Sequence, residues 1–216
     1  MHAPNPWPVA VLASGRGSNL QALHQASLHS GLPMRITGVF SDQADCGAMA
    51  YARQQGIPHR AFAAKDYASR QIFDRALMQA VAAVKPALIV CAGYMRIISD
   101  TGIALAPCPM INIHPSLLPL YPGLHTHARA IADGRLEHGA SVHLVNNILD
   151  GGRVLSQAKV PVLDGDSPER LAERVLRREY PLLVETVRSI ISGRIALNNA
   201  PHAQVLYLHD DNSRLD

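Results

Sequence analysis

The stretch Val9-Ala10-Val11-Leu12-Ala13-Ser14-Gly15-Arg16-Gly17-Ser18-Asn19-Leu20 decides the class of fold. Five apolar residues make a short buried strand. A polar turn with two glycines follows. Leu20, Leu23 and Ala26 then carry helical spacing to about His29. Strand, glycine turn and helix in this order build an anion site, because the turn exposes backbone N–H groups at the helix N-terminus. Two ligands compete for it. A dinucleotide wants G-x-G-x-x-G and an acid at the end of the second strand. Leu20 occupies the third glycine position, whereas Asp42 is placed for the acid. A phosphate monoester needs only the first two glycines and the N–H row, and this is the preferred reading. A tight turn with Ser18 or Asn19 capping the helix accounts for the same residues without a ligand. The absence of a GKS or GKT ending excludes a P-loop nucleotidase.

Outward from this stretch, strands alternate with helices. Arg35 to Ser41 reads as a strand, Asp45 to Gln55 as a helix closed by Gly56, and His59 to Phe62 as a short strand. Asp66 to Val84 reads as an amphipathic helix with Ile72, Phe73, Ala76, Leu77, Ala80 and Val81 on one face. Ala87 to Ala92 is wholly apolar, as a strand of a parallel sheet requires. Met110 to Ile113 is a further strand. Ser141 to Val145 alternates with period two and Arg153 to Val162 looks extended, so both read as antiparallel strands. Ser167-Pro168-Glu169 opens a last helix that runs to about Ser192. The expected fold is α/β: a doubly wound, mostly parallel twisted sheet of Rossmann-like form, extended by antiparallel strands in the C-terminal part. Residues 1–197 are expected to form a single domain and 198–216 a polar, loosely held tail.

The chain has 216 residues, enough for one sizeable core. Its net charge of +3 is too small to argue for a nucleic-acid surface, though it suits small anionic substrates. Three cysteines, Cys46, Cys91 and Cys108, with no CxxC pair, fit a reducing compartment. The N-terminus lacks the basic region of a signal peptide, and no stretch approaches the roughly 18 apolar residues of a membrane span. A cytoplasmic enzyme acting on small molecules is expected, with no nucleic-acid or membrane partner, as a monomer or homodimer.

Ile111-Asn112-Ile113-His114-Pro115-Ser116-Leu117-Leu118-Pro119 carries an amide and an imidazole two apart. Period-two geometry puts Asn112 and His114 on one face while Ile111 and Ile113 face the core. Open α/β sheets place chemistry at this end of a strand. The pair has the donors to bind an oxygen on which negative charge develops. A histidine bonded to a loop carbonyl and an asparagine capping a turn fit equally. Asp150-Gly151 reads first as a hairpin turn, although a carboxylate beside His114 would raise its pKa and keep it cationic. His114, His125, His127, His138 and His143 crowd one region, but no H-E-x-x-H and no zinc-spaced Cys/His pair occurs, so no metal is expected. Ser116 to about Glu137, with its prolines and glycines, reads as a mobile cover over the site, and Leu118-Pro119 is a candidate cis bond.

The ordered set Ser14-Gly15-Arg16-Gly17-Ser18-Asn19-Leu20, Gly93-Tyr94-Met95-Arg96-Ile97, INIHPSLLP with Tyr121-Pro122-Gly123-Leu124-His125-Thr126-His127, Gly139-Ala140-Ser141-Val142-His143 and Leu149-Asp150-Gly151-Gly152 closely resembles the phosphoribosylglycinamide formyltransferases, folate-dependent enzymes of purine synthesis. The likeness runs from about Val9 to Ile195. It implies a catalytic set of Asn112, His114 and Asp150. It implies backbone contacts to a substrate phosphate from Gly17, Ser18 and Asn19, and a ribose contact from Glu179. It places the co-substrate 10-formyltetrahydrofolate along Met95, Arg96, Ile97 and Ile98, with Arg70 meeting its glutamate tail. One departure is visible: Tyr180-Pro181 follows Glu179 directly, where the family has a His and brings its Tyr-Pro a few residues later. The resemblance implies formyl transfer to the amine of glycinamide ribonucleotide through a tetrahedral intermediate. The alternatives are a formyltetrahydrofolate deformylase or another formyl-folate transferase, which carry an added N-terminal or C-terminal domain for which the sequence is expected to leave no room. A nicotinamide oxidoreductase, resting on the glycine turn and Asp42, and a phosphate-ligand sensor without catalysis are more distant.

Overall fold

The computed structural model describes residues 5–197 and 204–208. The chain divides into two compact units, the first ending at Asn112 and the second beginning at Ile113.

The first unit holds β1 (Trp7–Leu12), α1 (Ser18–His29), β2 (Met34–Ser41), α2 (Gly47–Gln54), β3 (His59–Ala61), α3 (Arg70–Ala83), β4 (Leu88–Cys91) and α4 (Asp100–Ala104). The strand β5 (Met110–His114) carries the chain into the second unit. Strand order is β3-β2-β1-β4-β5, and each neighbouring pair is parallel. The order reverses at β1, the mark of a doubly wound sheet, and β1 and β4 flank the point where such sheets bind ligands. Val9 to Leu12 and Leu88 to Val90 are fully buried, as the apolar runs of parallel strands demand.

The turn after β1 is held by close approach. Gly17 has φ +78 and is the N-cap of α1, with no side chain capping the helix. A Cβ at this position would stand 2.6 Å from the Ala48 Cα, because the Ala48 N–H donates to the Gly15 carbonyl at 3.0 Å and draws α2 against the loop.

The helix expected from Asp66 starts instead at Arg70, after a single 3-10 turn at Ala64–Asp66. Ser69 supplies the boundary: its side chain accepts the Ile72 N–H. Phe73, Leu77 and Val81 are buried as expected, while Ile72 stays exposed. The helix α4, capped by Ser99, was not foreseen; five residues are too few to show a period.

The second unit holds α5 (Thr126–Ala132), β6 (Glu137–Leu144), β7 (Val154–Pro161), α6 (Pro168–Ile191) and β8 (Leu206–Tyr207). Strands β6 and β7 pair antiparallel, as their alternation implied, and β8 lies parallel to β7. The Ser167 side chain accepts the Arg170 N–H to cap α6. This helix runs on through Pro181, and Leu171, Val175, Leu182, Leu183, Val187 and Ile190 form its buried stripe. Of the stretch read as a tail, 198–203 and 209–216 lie outside the described residues, while Leu206–Tyr207 forms β8. The fold is thus α/β and mostly parallel, with antiparallel pairing toward the C-terminus. Among the described residues no helix is long and apolar enough to cross a membrane.

Gly17→Ala places a side chain in a left-handed backbone and against Ala48. The conformation alone costs about 1–2 kcal/mol, so the urea midpoint of this variant should fall by at least that equivalent. An unchanged midpoint would show that the turn relaxes freely.

Candidate active site

The site is built from the strand end that carries His114. Asn112, half-buried, and His114, buried, are two residues apart on β5, with Ile111 and Ile113 turned into the core. The His114 Nε2 lies 2.9 Å from the Tyr121 carbonyl oxygen. A carbonyl only accepts, so Nε2 carries a proton. The other ring nitrogen, Nδ1, stands 3.4 Å from the Asp150 Oδ2.

Asp150 sits between two imidazoles. Its Oδ1 is 3.5 Å from the His143 Nε2, and its Oδ2 accepts the Gly123 N–H at 2.8 Å. His143 donates from Nδ1 to the Leu144 carbonyl at 2.8 Å. Each imidazole therefore has one nitrogen committed to a backbone carbonyl. The other nitrogen of each faces Asp150. Asp150 is also the turn residue its sequence suggested: φ is 50, and the Gly151 N–H donates to the Ile148 carbonyl. Turn and partner are the same residue, because an Asp tolerates the left-handed region better than most. Gly152 lets the turn close. A Cβ there would stand 1.7 Å from the Leu144 carbonyl oxygen.

The charges differ from expectation in one respect. Burial pushes His114 below the usual imidazole range, and this outweighs the Tyr121 carbonyl and the Asp150 charge, which pull it up. Asp150 does favour the cation, as anticipated, but dehydration wins, so the resting imidazole is neutral. For Asp150 itself burial acts upward. The hydrogen bonds from His143 and the Gly123 N–H, with the two imidazoles, overcome it and hold the carboxyl below its ordinary value.

The stretch from Ser116 to Glu137 contains α5 and is tied at several points. Thr126 Oγ1 donates to the Pro115 carbonyl at 2.7 Å. The Tyr121 hydroxyl donates to Asp133 Oδ2 at 2.7 Å and accepts from Arg135 Nε at 3.0 Å. The Leu118–Pro119 peptide is cis. His138 is buried, with its Nε2 3.2 Å from the His127 Nδ1 and a further bond to the Pro115 carbonyl. Among the described residues no group of three or more His, Cys, Asp or Glu side chains is arranged to hold a metal ion.

The remaining expected residues fall in two places. In the first unit, Gly17, Ser18 and Asn19 form the N-terminal turn of α1. Arg70, Arg96 and Ile98 gather near the start of α3. Arg70 Nε stands 4.0 Å from Asp74, the Arg96 guanidinium lies 4.7 Å over the Phe73 ring, and Ile98 packs beside Gly102. Met95 and Ile97 expose 70% and 56% of their surface, which leaves apolar area for a flat ligand. In the second unit, Glu179 is buried on α6. His143, Tyr121 and Gly123 stood within the motifs quoted from the sequence but were given no role there, since their meeting with Asp150 and His114 depends on the tertiary structure.

The chain as a whole has matches among known proteins. A family model described as formyl transferase covers residues 8–187, and the chain belongs to that family. It is a transferase. More particularly, it is 41% identical over 190 residues to phosphoribosylglycinamide formyltransferase of Escherichia coli (strain K12), covering 88% of this chain and 90% of that one. It superposes on the phosphoribosylglycinamide formyltransferase structure from Brucella melitensis with TM-score 0.82 and 44% identity, over 89% of this chain and 100% of that one. The corresponding Coxiella burnetii structure matches with TM-score 0.84 and 39% identity, over 90% and 92%.

Burial takes His138 down from 6.5 to about 4, with the charge of His127 and His114 adding to it and the Pro115 carbonyl opposing. An imidazole depressed in the folded state stays neutral while the unfolded chain takes up the proton. Stability is therefore complete above the unfolded value and falls as the pH drops toward the folded one. His114 and His127, also depressed, act in the same direction. Urea midpoints should decline between pH 7 and pH 5, and His138→Gln should flatten that decline whatever it does to the midpoint at pH 7. An equal slope in both proteins would remove His138 from the account.

Proposed function

We propose that this chain transfers the formyl group of 10-formyltetrahydrofolate to the amine of glycinamide ribonucleotide. The single observation that carries the reading is the His114–Asp150–His143 constellation on a chain of the formyl transferase family, matched nearly end to end by proteins that bear this activity. Residues 1–197 would serve it as one formyltransferase domain, in the cytoplasm, on small-molecule substrates and with no metal.

In this mechanism the substrate amine attacks the formyl carbon and a tetrahedral oxyanion forms. Asn112 and the His114 Nε2–H donate to that oxygen. A single such donor is worth about 2.7–4 kcal/mol of barrier. A neutral His114 suffices, because Nε2 already holds its proton. That proton is given to the Tyr121 carbonyl in the free protein, so Tyr121 has to withdraw when substrate is in place. This supports the reading of the Ser116 to Glu137 stretch as a cover that rearranges with ligand. The amine must also lose a proton, and the leaving folate nitrogen must gain one. Asp150, ionised at neutral pH, takes the first directly or through a water, and the facing His114 and His143 nitrogens help pass it on. No covalent enzyme intermediate is required.

Gly17, Ser18 and Asn19 are assigned to the substrate phosphate. What supports this is the order of strand, glycine turn and helix, which sets these three residues at the N-terminal turn of α1, where backbone N–H groups favour an anion. Glu179 is assigned to the ribose, and Met95, Arg96, Ile97, Ile98 and Arg70 to the folate. The oxidoreductase alternative loses its acid: Asp42 accepts hydrogen bonds from Ser14 and Gln43. A deformylase is less favoured because the named relatives match over nine-tenths or more of their length.

A direct assay with both substrates, and a no-acceptor control that exposes hydrolysis, tests the reading. Transfer should be absent without glycinamide ribonucleotide. Asp150→Asn should lower kcat by on the order of 10²–10⁴, with the thermal midpoint little changed. His114→Ala should lower kcat by about 10² or more. Wild-type rates in either variant would sink the assignment.

A further inference from the structure

We infer that Ser14, aligned by Asp42, is a positioning residue for the segment Gly93–Ile98, and so joins the glycine turn to the co-substrate side of the site. The inference deepens the proposed function and rests on it for the identity of the ligand.

Ser14 is the last residue before the glycine turn, at the end of β1. Its backbone N–H donates to the Gly93 carbonyl at 3.0 Å, and its Oγ accepts the Met95 N–H at 2.9 Å. These bonds grip Gly93-Tyr94-Met95 from both ends, across a turn that Gly93 opens with φ +76. Met95 thus shows its side chain to solvent while its backbone is tied inward. The next anchor along the segment is again a side chain, Asp74 Oδ2, which accepts the Ser99 N–H at 2.7 Å. The exposed Met95 and Ile97 side chains stand between the two anchors.

Asp42 sets the direction of the tie. A hydroxyl has one proton and two lone pairs. Asp42 Oδ1 lies 2.5 Å from the Ser14 Oγ, and a carboxylate only accepts, so the proton points at Asp42 and a lone pair is left for Met95. The other Asp42 oxygen accepts from Gln43 Nε2 at 3.2 Å. A bond to a charged acceptor is stronger than one between neutral groups, which locks the rotor. The acid that resembled a dinucleotide ribose ligand thus has a different task. It orders a chain of bonds running from the end of β2 through the end of β1 to the loop after β4.

The test combines kinetics with amide exchange. Ser14→Ala should raise KM for the formyl folate on the order of five- to tenfold, the equivalent of one neutral hydrogen bond, with kcat and the KM for the ribonucleotide nearly unchanged. Asp42→Ala should do the same. Asp42→Asn should recover most of the loss, since its amide oxygen still accepts, though without the charge. Hydrogen exchange at the Met95 amide should be slow in the wild type and Asp42→Asn, and fast in Ser14→Ala and Asp42→Ala. A wild type that transfers no formyl group would fell the functional reading, while the exchange arm would still decide the tie. Met95 protection equal in wild type and Ser14→Ala, or a uniform loss spread over kcat and both KM values, would overturn the positioning role.

Discussion

The close approach of Gly17 to Ala48 is the constraint on which the first unit turns. A parallel strand that ends at the switch point must reverse into its helix within a few residues, and α2 lies against the loop that does so. Only a residue without a Cβ fits there, and only a left-handed backbone makes the bend. With the bend set, α1 starts at Ser18 without a side-chain cap, and Ser14 stands where it reaches both Asp42 and Met95. The start of the first helix and the anchoring of the loop after β4 are consequences of one turn.

The second unit applies a comparable economy at Asp150. Its left-handed backbone closes the connection between β6 and β7, and its carboxylate is held by Gly123 between His114 and His143. Each imidazole gives one N–H to a backbone carbonyl and turns its other nitrogen toward the carboxylate. Burial then sets the resting state. It lowers the His114 pKa against the pull of Asp150, while hydrogen bonds and the two imidazoles hold Asp150 below its ordinary value. The Tyr121 carbonyl on His114 couples this state to the conformation of the loop that follows β5.

The α/β class was legible because it depends on periodicity and composition. Wholly apolar runs at Val9–Leu12 and Leu88–Cys91 have few stable homes besides a parallel strand. The alternation from Ser141 onward marks a strand paired differently. Errors fell where local chemistry overrides period. Ser69 moved the start of α3 by its cap, α4 and α5 are too short to show a pattern, and β8 rests on two residues.

By itself, the sequence determined the order of the main strands and long helices, the glycine turn, and the sharing of one face by Asn112 and His114. All follow from interactions between near neighbours in the chain. Tertiary structure decided which groups meet across it. It set Asp150 between residues 36 positions before it and 7 before it. It gave Asp42 a serine 28 positions away, and Met95 a hydroxyl 81 positions away. It also lowered the His114 pKa by burial, against the pull of Asp150. Dehydration depends on how much protein surrounds a group, and chain order carries no measure of that.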